Sequence, residues 1–185
     1  MRRRCSTARV LALAAAALAL ALMSPDGVGA TPETTCAAAA ARDRRVDYAF
    51  CVSRLSHHHD SPDADAWGLA KVAADVGVAT AGSAVYDIKA LLSKPPAGAG
   101  ERAALEQCRA LYDAAGLAFA EAYDGISRRD YAAGKGRAAD AASLARRCGA
   151  AFARAGASPP PQVSRWGVEA EKIAVVCTAV TSLVG

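Results

Sequence analysis

Apolar and small residues recur every three or four positions along most of the chain. Leu105, Cys108, Tyr112, Ala115, Phe119, Ala122 and Ile126 form one series, and Tyr131, Gly134, Ala138, Ala141, Ala145, Cys148 and Phe152 form a second. A third runs Trp166, Ala170, Ile173, Cys177, Val180 and Val184. At 3.6 residues per turn each series falls on one helix face, so each predicts an amphipathic helix with a continuous apolar seam. The second seam is mostly small, which permits close approach of a neighbour although Gly134 and Gly136 weaken the helix. Upstream, Ser61-Pro62-Asp63 offers an N-cap, a proline at the first helical position and an acidic first turn, which predicts a long helix running to about Ser93. Lys94-Pro95-Pro96-Ala97-Gly98, Gly125-Ile126-Ser127-Arg128-Arg129-Asp130 and Ser158-Pro159-Pro160-Pro161 interrupt the pattern. Four amphipathic helices with short breaks predict an all-α antiparallel four-helix bundle over about residues 62–184, with a short helical hairpin before it at about 33–57.

Composition strengthens this picture. Forty-nine of the 185 residues are Ala and aromatics are only 5%, which favours helices and leaves little from which to build strands. The net charge is +4, but Arg2, Arg3, Arg4 and Arg9 against Asp26 put +3 of it in residues 1–30, leaving +1 for the remainder. A chain that close to neutral lacks the electrostatic footprint of a nucleic-acid binder. The basic start, the 14-residue apolar run Val10 to Met23 and the small residues of Val28-Gly29-Ala30 predict a secretory signal peptide over residues 1–30, cleaved after Ala30. The run is too short to span a bilayer, and no later one is longer, so the reading is a secreted domain over 31–185 with no membrane partner.

Cys5 leaves with the signal, and Cys36, Cys51, Cys108, Cys148 and Cys177 remain. In an oxidising compartment five cysteines read as two bridges and one spare thiol. The midpoint of Cys36 and Cys51 falls in the polar run Arg42-Asp43-Arg44-Arg45, and that of Cys108 and Cys148 is Arg128, inside a predicted turn. Antiparallel helices bring residues equidistant from their turn level with each other, so this spacing pairs Cys36 with Cys51 and Cys108 with Cys148. Cys177 lies on the last apolar seam and reads as a buried, unreactive free thiol. No Cys-x-x-Cys pair suggests zinc or redox chemistry.

Nothing else nominates catalysis. The only histidines, His57, His58 and His59, are consecutive; on a helix their side chains diverge, so the segment reads as a solvated loop and no metal or cofactor is assigned. No phosphate-cradling glycine loop, nucleophile elbow or helical zinc motif occurs. Tyr112, Phe119, Tyr123 and Tyr131 read as core more readily than as the lining of a ligand cavity, because three of them lie on the seams. The charges Arg109, Asp113, Glu121, Asp124, Arg128, Arg129, Asp130, Lys135 and Arg137 surround the second and third long helices and their turn, as a solvated face or the rim of a protein-binding surface. The sequence has no Asn, so N-linked glycosylation is excluded.

Several segments together resemble a known family. Thr35-Cys36 and Asp47-Tyr48-Ala49-Phe50-Cys51-Val52-Ser53-Arg54-Leu55 are similar to the N-terminal hairpin of the plant pectin methylesterase and invertase inhibitors. Ala104-Leu105-Glu106-Gln107-Cys108-Arg109-Ala110-Leu111-Tyr112-Asp113-Ala114 resembles the stretch around that family's third cysteine, and Asp130-Tyr131 with Cys148-Gly149-Ala150-Ala151-Phe152 the segment around its fourth. The resemblance covers nearly the whole mature chain, Thr35 to Val184. It implies a hairpin on a four-helix bundle, bridges first to second and third to fourth, and no catalysis. The implied action is to occlude, one-to-one, the active cleft of a secreted carbohydrate-active enzyme in the cell wall or apoplast.

The target is less sharply marked. Invertase-directed members resemble one another in a Pro-Lys-Phe triplet, and here the corresponding positions read Arg129-Asp130-Tyr131. Pectin methylesterase inhibitors resemble one another in an Ala-Leu-Thr run and a Thr before the fourth cysteine, where this chain has Ala141-Ala142-Ser143 and Arg147. The long spacing from Cys36 to Cys51 is most similar to a pollen-associated branch labelled as invertase inhibitors. The balance favours pectin methylesterase, with invertase the alternative and a carrier of a small apolar ligand the reading from another class. The surface expected to meet the enzyme comprises Arg109, Asp113, Arg128, Arg129, Asp130, Tyr131 and Lys135.

Overall fold

A computed structural model describes residues 29–95 and 98–185; the signal-peptide reading falls on residues that lie, except for Gly29 and Ala30, outside this range. The described residues form six helices: α1 (Pro32–Arg42), α2 (Tyr48–Ser56), α3 (Ala66–Leu92), α4 (Ala99–Ser127), α5 (Tyr131–Arg154) and α6 (Pro161–Val184).

The helices start where the sequence supplies an acceptor for orphan backbone N–H groups. Thr31 caps α1 through a reciprocal pair with Thr34, with Pro32 at the first position. Asp47 accepts from the Phe50 amide at the start of α2, and Asp130 from the Ala133 amide at the start of α5. One expected cap moves. Ser61 is buried with its hydroxyl donating to the Leu55 carbonyl at 2.6 Å, and the helix begins only at Ala66, so Ser61 does not stand at the cap position of α3. Asp65 takes the role, accepting from the Gly68 amide at 2.7 Å, and residues 61–64 form a turn ahead of the helix.

Each of α3 to α6 packs on its neighbours in sequence, and α6 closes the ring against α3, giving the up-down-up-down bundle. The seams meet inside it: Tyr112, Phe119, Phe152, Ile126 and Ile173 are fully buried. Gly134 permits the close α4–α5 crossing expected of the small seam, since a Cβ there would lie 2.8 Å from Ile126 Cγ1. Gly136 faces open space and takes no part in it.

The α1–α2 hairpin lies across α6 and α3. Arg54 pairs with Glu169, Arg42 donates to the Ser182 carbonyl, and Lys172 pairs with Asp47 at 2.8 Å. The Phe50 ring has both the Lys172 ammonium and the Arg54 guanidinium 5.3 Å from its centroid. The Lys172 partner, with the Phe50 amide, holds the Asp47 carboxyl below its ordinary value. That pairing therefore favours the docked hairpin at neutral pH and is lost as pH falls through the lowered value.

Cys36 is bonded to Cys51, with Cα atoms 5.8 Å apart, and Cys108 to Cys148, with Cα atoms 4.6 Å apart. Cys177 is free and fully buried, and burial pushes its thiol up to about 12, which keeps it protonated and inert. Among the described residues no helix is long and apolar enough to cross a membrane.

Candidate functional site: the α4–α5 end of the bundle

α4 ends in a Schellman turn. The Asp130 amide donates to the Gly125 carbonyl at 2.9 Å and the Arg129 amide to the Ile126 carbonyl at 3.0 Å. This hydrogen-bond pattern requires the residue after the cap to adopt a left-handed backbone, a position glycine usually fills. Arg129 occupies it, with φ of 61°, the one non-glycine residue at positive φ among those described.

The strained position aims the Arg129 side chain at a partner from another helix. Its guanidinium carbon lies 5.1 Å from the Trp67 ring centroid, and Nη1 donates to the Tyr131 hydroxyl at 3.3 Å. Trp67 is fixed in turn, its indole N–H donating to the Ile126 carbonyl at 2.9 Å. Lys71, one turn further along α3, holds its ammonium 3.8 Å from the same ring and 6.0 Å from that of Tyr123. The result is two cations braced on aromatic rings where the start of α3 meets the end of α4. Arg128 is exposed beside them.

The expected surface residues divide into two groups. Arg128, Arg129, Asp130, Tyr131 and Lys135 gather at this end of the bundle. Within that group Asp130 is occupied as the cap of α5, and Lys135 donates to the Gly185 carbonyl at 3.1 Å. Arg109 and Asp113 are exposed on α4 but lie about 28 and 22 Å before Arg128 along the helix axis, at 1.5 Å per residue. They are not part of the same patch. Glu121 and Arg137 pair with each other at 3.0 Å. Tyr112 and Phe119 are wholly buried, while Tyr123 is partly exposed. The sequence reading missed Trp67 and Lys71; their spacing of four on a helix was the available signal, but nothing in it named Arg129 as their partner.

The strain makes a measurable contrast. Arg129→Ala keeps the unfavourable backbone and removes the ring contact, whereas Arg129→Gly removes both. The glycine variant is expected to be about 1 kcal/mol more stable than the alanine variant, and no less stable than the parent, in urea denaturation. Equal midpoints for the two variants would mean that the turn stores no strain.

The chain matches the family of plant invertase/pectin methylesterase inhibitors over residues 30–180. It belongs to that family. It is 69% identical over 158 residues to pectinesterase inhibitor 8 of Oryza sativa subsp. japonica, covering 85% of each chain. It is also 41% identical over 184 residues to pectinesterase inhibitor 12 of the same plant, covering 100% of this chain and 87% of the relative. Two solved structures share the fold at 16% identity. A mutant form of a pectin methylesterase inhibitor from Arabidopsis superposes with a TM-score of 0.67 over 83% of this chain and 97% of its own. A pectin methylesterase inhibitor from Arabidopsis thaliana gives 0.60 over 83% and 95%. The two solved structures share the fold predicted from the seams.

Proposed function

We propose that the chain is a secreted, non-catalytic inhibitor of pectin methylesterase that binds the enzyme one-to-one and blocks its active cleft. The 69% identity to a relative named pectinesterase inhibitor carries this reading. The physical case is consistent with it. A bundle stapled by two disulfides orders little on binding, so the contacts it makes are offset by a small entropic cost. The braced cations Arg129 and Lys71, with Arg128 beside them, form a preorganised rim of the kind that fixes register on a partner. Cleavage after Ala30 would leave the Thr31–Thr34 cap of α1 whole, in keeping with a mature chain that starts at Thr31.

The test mixes the oxidised mature chain with a plant pectin methylesterase and, separately, a cell-wall invertase, against a reduced and alkylated control. Loss of esterase activity alone is the expected result; loss of invertase activity alone would overturn the target. Arg128→Glu with Arg129→Glu is expected to weaken inhibition by about tenfold or more, about 1.4 kcal/mol, with the bundle still folded. Unchanged inhibition would remove this end of the bundle from the interface. N-terminal sequencing of the secreted protein checks the cleavage site.

A further inference from the structure

The three consecutive histidines do not lie on a helix. α2 ends at Ser56 with His57 as its C-cap, and the His57 ring is turned back to the Ser53 carbonyl. His58 and His59 follow in a turn, where the divergence of helical side chains no longer applies. Their rings stack with centroids 4.5 Å apart and planes at 25°. One ring nitrogen of His58, one of His59 and a carboxylate oxygen of Asp60 all lie within 4.8 Å of one another.

We propose that this turn is a binding site for a divalent transition-metal ion, with His58, His59 and Asp60 as its protein ligands. His59 Nε2 and Asp60 Oδ1 are already 3.3 Å apart, and bonds of about 2.0–2.1 Å in a tetrahedral site set ligand atoms roughly 3.3–3.5 Å apart. The His59 and Asp60 side chains are 82% and 67% exposed, so rotation of both can close the rest of the distance to His58.

The tautomer of His58 suits the role. Its Nδ1 accepts the Asp60 amide at 3.2 Å, so its proton sits on Nε2, which donates to Asp75 Oδ2 at 2.8 Å. A carboxylate that orients an imidazole from behind while the other nitrogen keeps its lone pair is the usual second layer of a histidine–metal bond. The ion replaces the long amide contact to Nδ1. The His58 side chain is only 12% exposed, so α3 holds this ligand in place.

The surroundings favour a cation. The ligands line an open groove of about 540 Å³ to which Asp63, Asp65 and Asp75 add carboxylates, while its one lysine, Lys71, is stacked on Trp67. The open side leaves room for water to complete the coordination. Two imidazoles and one carboxylate select zinc, nickel or copper over magnesium or calcium.

The experiment is calorimetric titration of tag-free mature chain with zinc, nickel and magnesium chlorides. One saturable zinc site and one nickel site are expected, with no magnesium binding. His59→Ala is expected to weaken zinc binding by about tenfold or more without moving the melting temperature of the metal-free protein, since the ring is exposed. His57→Ala should leave zinc binding intact, and Asp75→Asn should weaken it by about 10- to 100-fold. Absence of a saturable zinc site, unchanged zinc binding in His59→Ala, or an equal loss in His57→Ala would each overturn the proposal.

Discussion

Replacing Cys108 and Cys148 together with alanine is expected to lower stability by about 4 kcal/mol. The bond closes a separation of 40 residues, and the chain-entropy relation for a loop of that length gives about that figure at room temperature. It joins α4 to α5, the pair that crosses closely at Gly134. Both sulfurs are buried, so their removal also leaves a small void. The corresponding change at Cys36 and Cys51, separated by 15 residues, is expected to cost about 3 kcal/mol. Urea denaturation of each double variant under oxidising conditions measures both. A Cys108→Ala/Cys148→Ala midpoint within error of the parent would show that the bundle holds α4 and α5 together without the bond.

The second large effect is expected at Phe119, where truncation to alanine costs about 3–5 kcal/mol and reverses the sign of a second substitution. Phe119 is fully buried, and its ring lies directly on Gly77 of α3. A Cβ at Gly77 would stand 2.3 Å from Cδ1 and 2.6 Å from Cγ and Cε1 of that ring. In the parent chain Gly77→Ala must displace a packed aromatic ring, an overpacking cost of about 1–3 kcal/mol that exceeds the gain in helix propensity of up to about 1 kcal/mol. With Phe119 already alanine, the space is open and the propensity gain remains. Gly77→Ala is therefore destabilising alone and stabilising in the Phe119→Ala background, which a double-mutant cycle reads directly. A stabilising effect in both backgrounds would mean that α3 and α4 do not approach this closely.

The sequence was most informative where a contact is local. The seam from Leu105 to Ile126 is buried without exception, and the seam from Tyr131 to Phe152 departs only at half-buried Tyr131. The cysteine pairing was equally legible, because equal distance from a turn is itself a local property of a hairpin. Ser61 shows the limit even for local signals. Its cap, proline and acidic residue predict a start at residues 61–63, but these residues form a turn in which the Ser61 hydroxyl donates to the Leu55 carbonyl, and α3 begins at Ala66 with Asp65 as its cap. The candidate site was legible as a stretch of charge but not as an arrangement. Arg109 and Asp113 share a helix with Arg128 and stand far from it, whereas Trp67, 62 positions before Arg129, touches it.

The amino-acid sequence by itself determined which residues turn inward, where the long helices break, and which cysteines meet. The tertiary structure alone decided that α6 closes on α3, that Arg54 and Asp47 of the hairpin region meet Glu169 and Lys172, that Arg129 rests on Trp67, and that Asp75 stands behind His58. Periodicity reports the face a side chain occupies on its own helix, a property of residues three and four apart. The partner across the bundle depends on how helices rotate and cross, which is set by all the seams packing together.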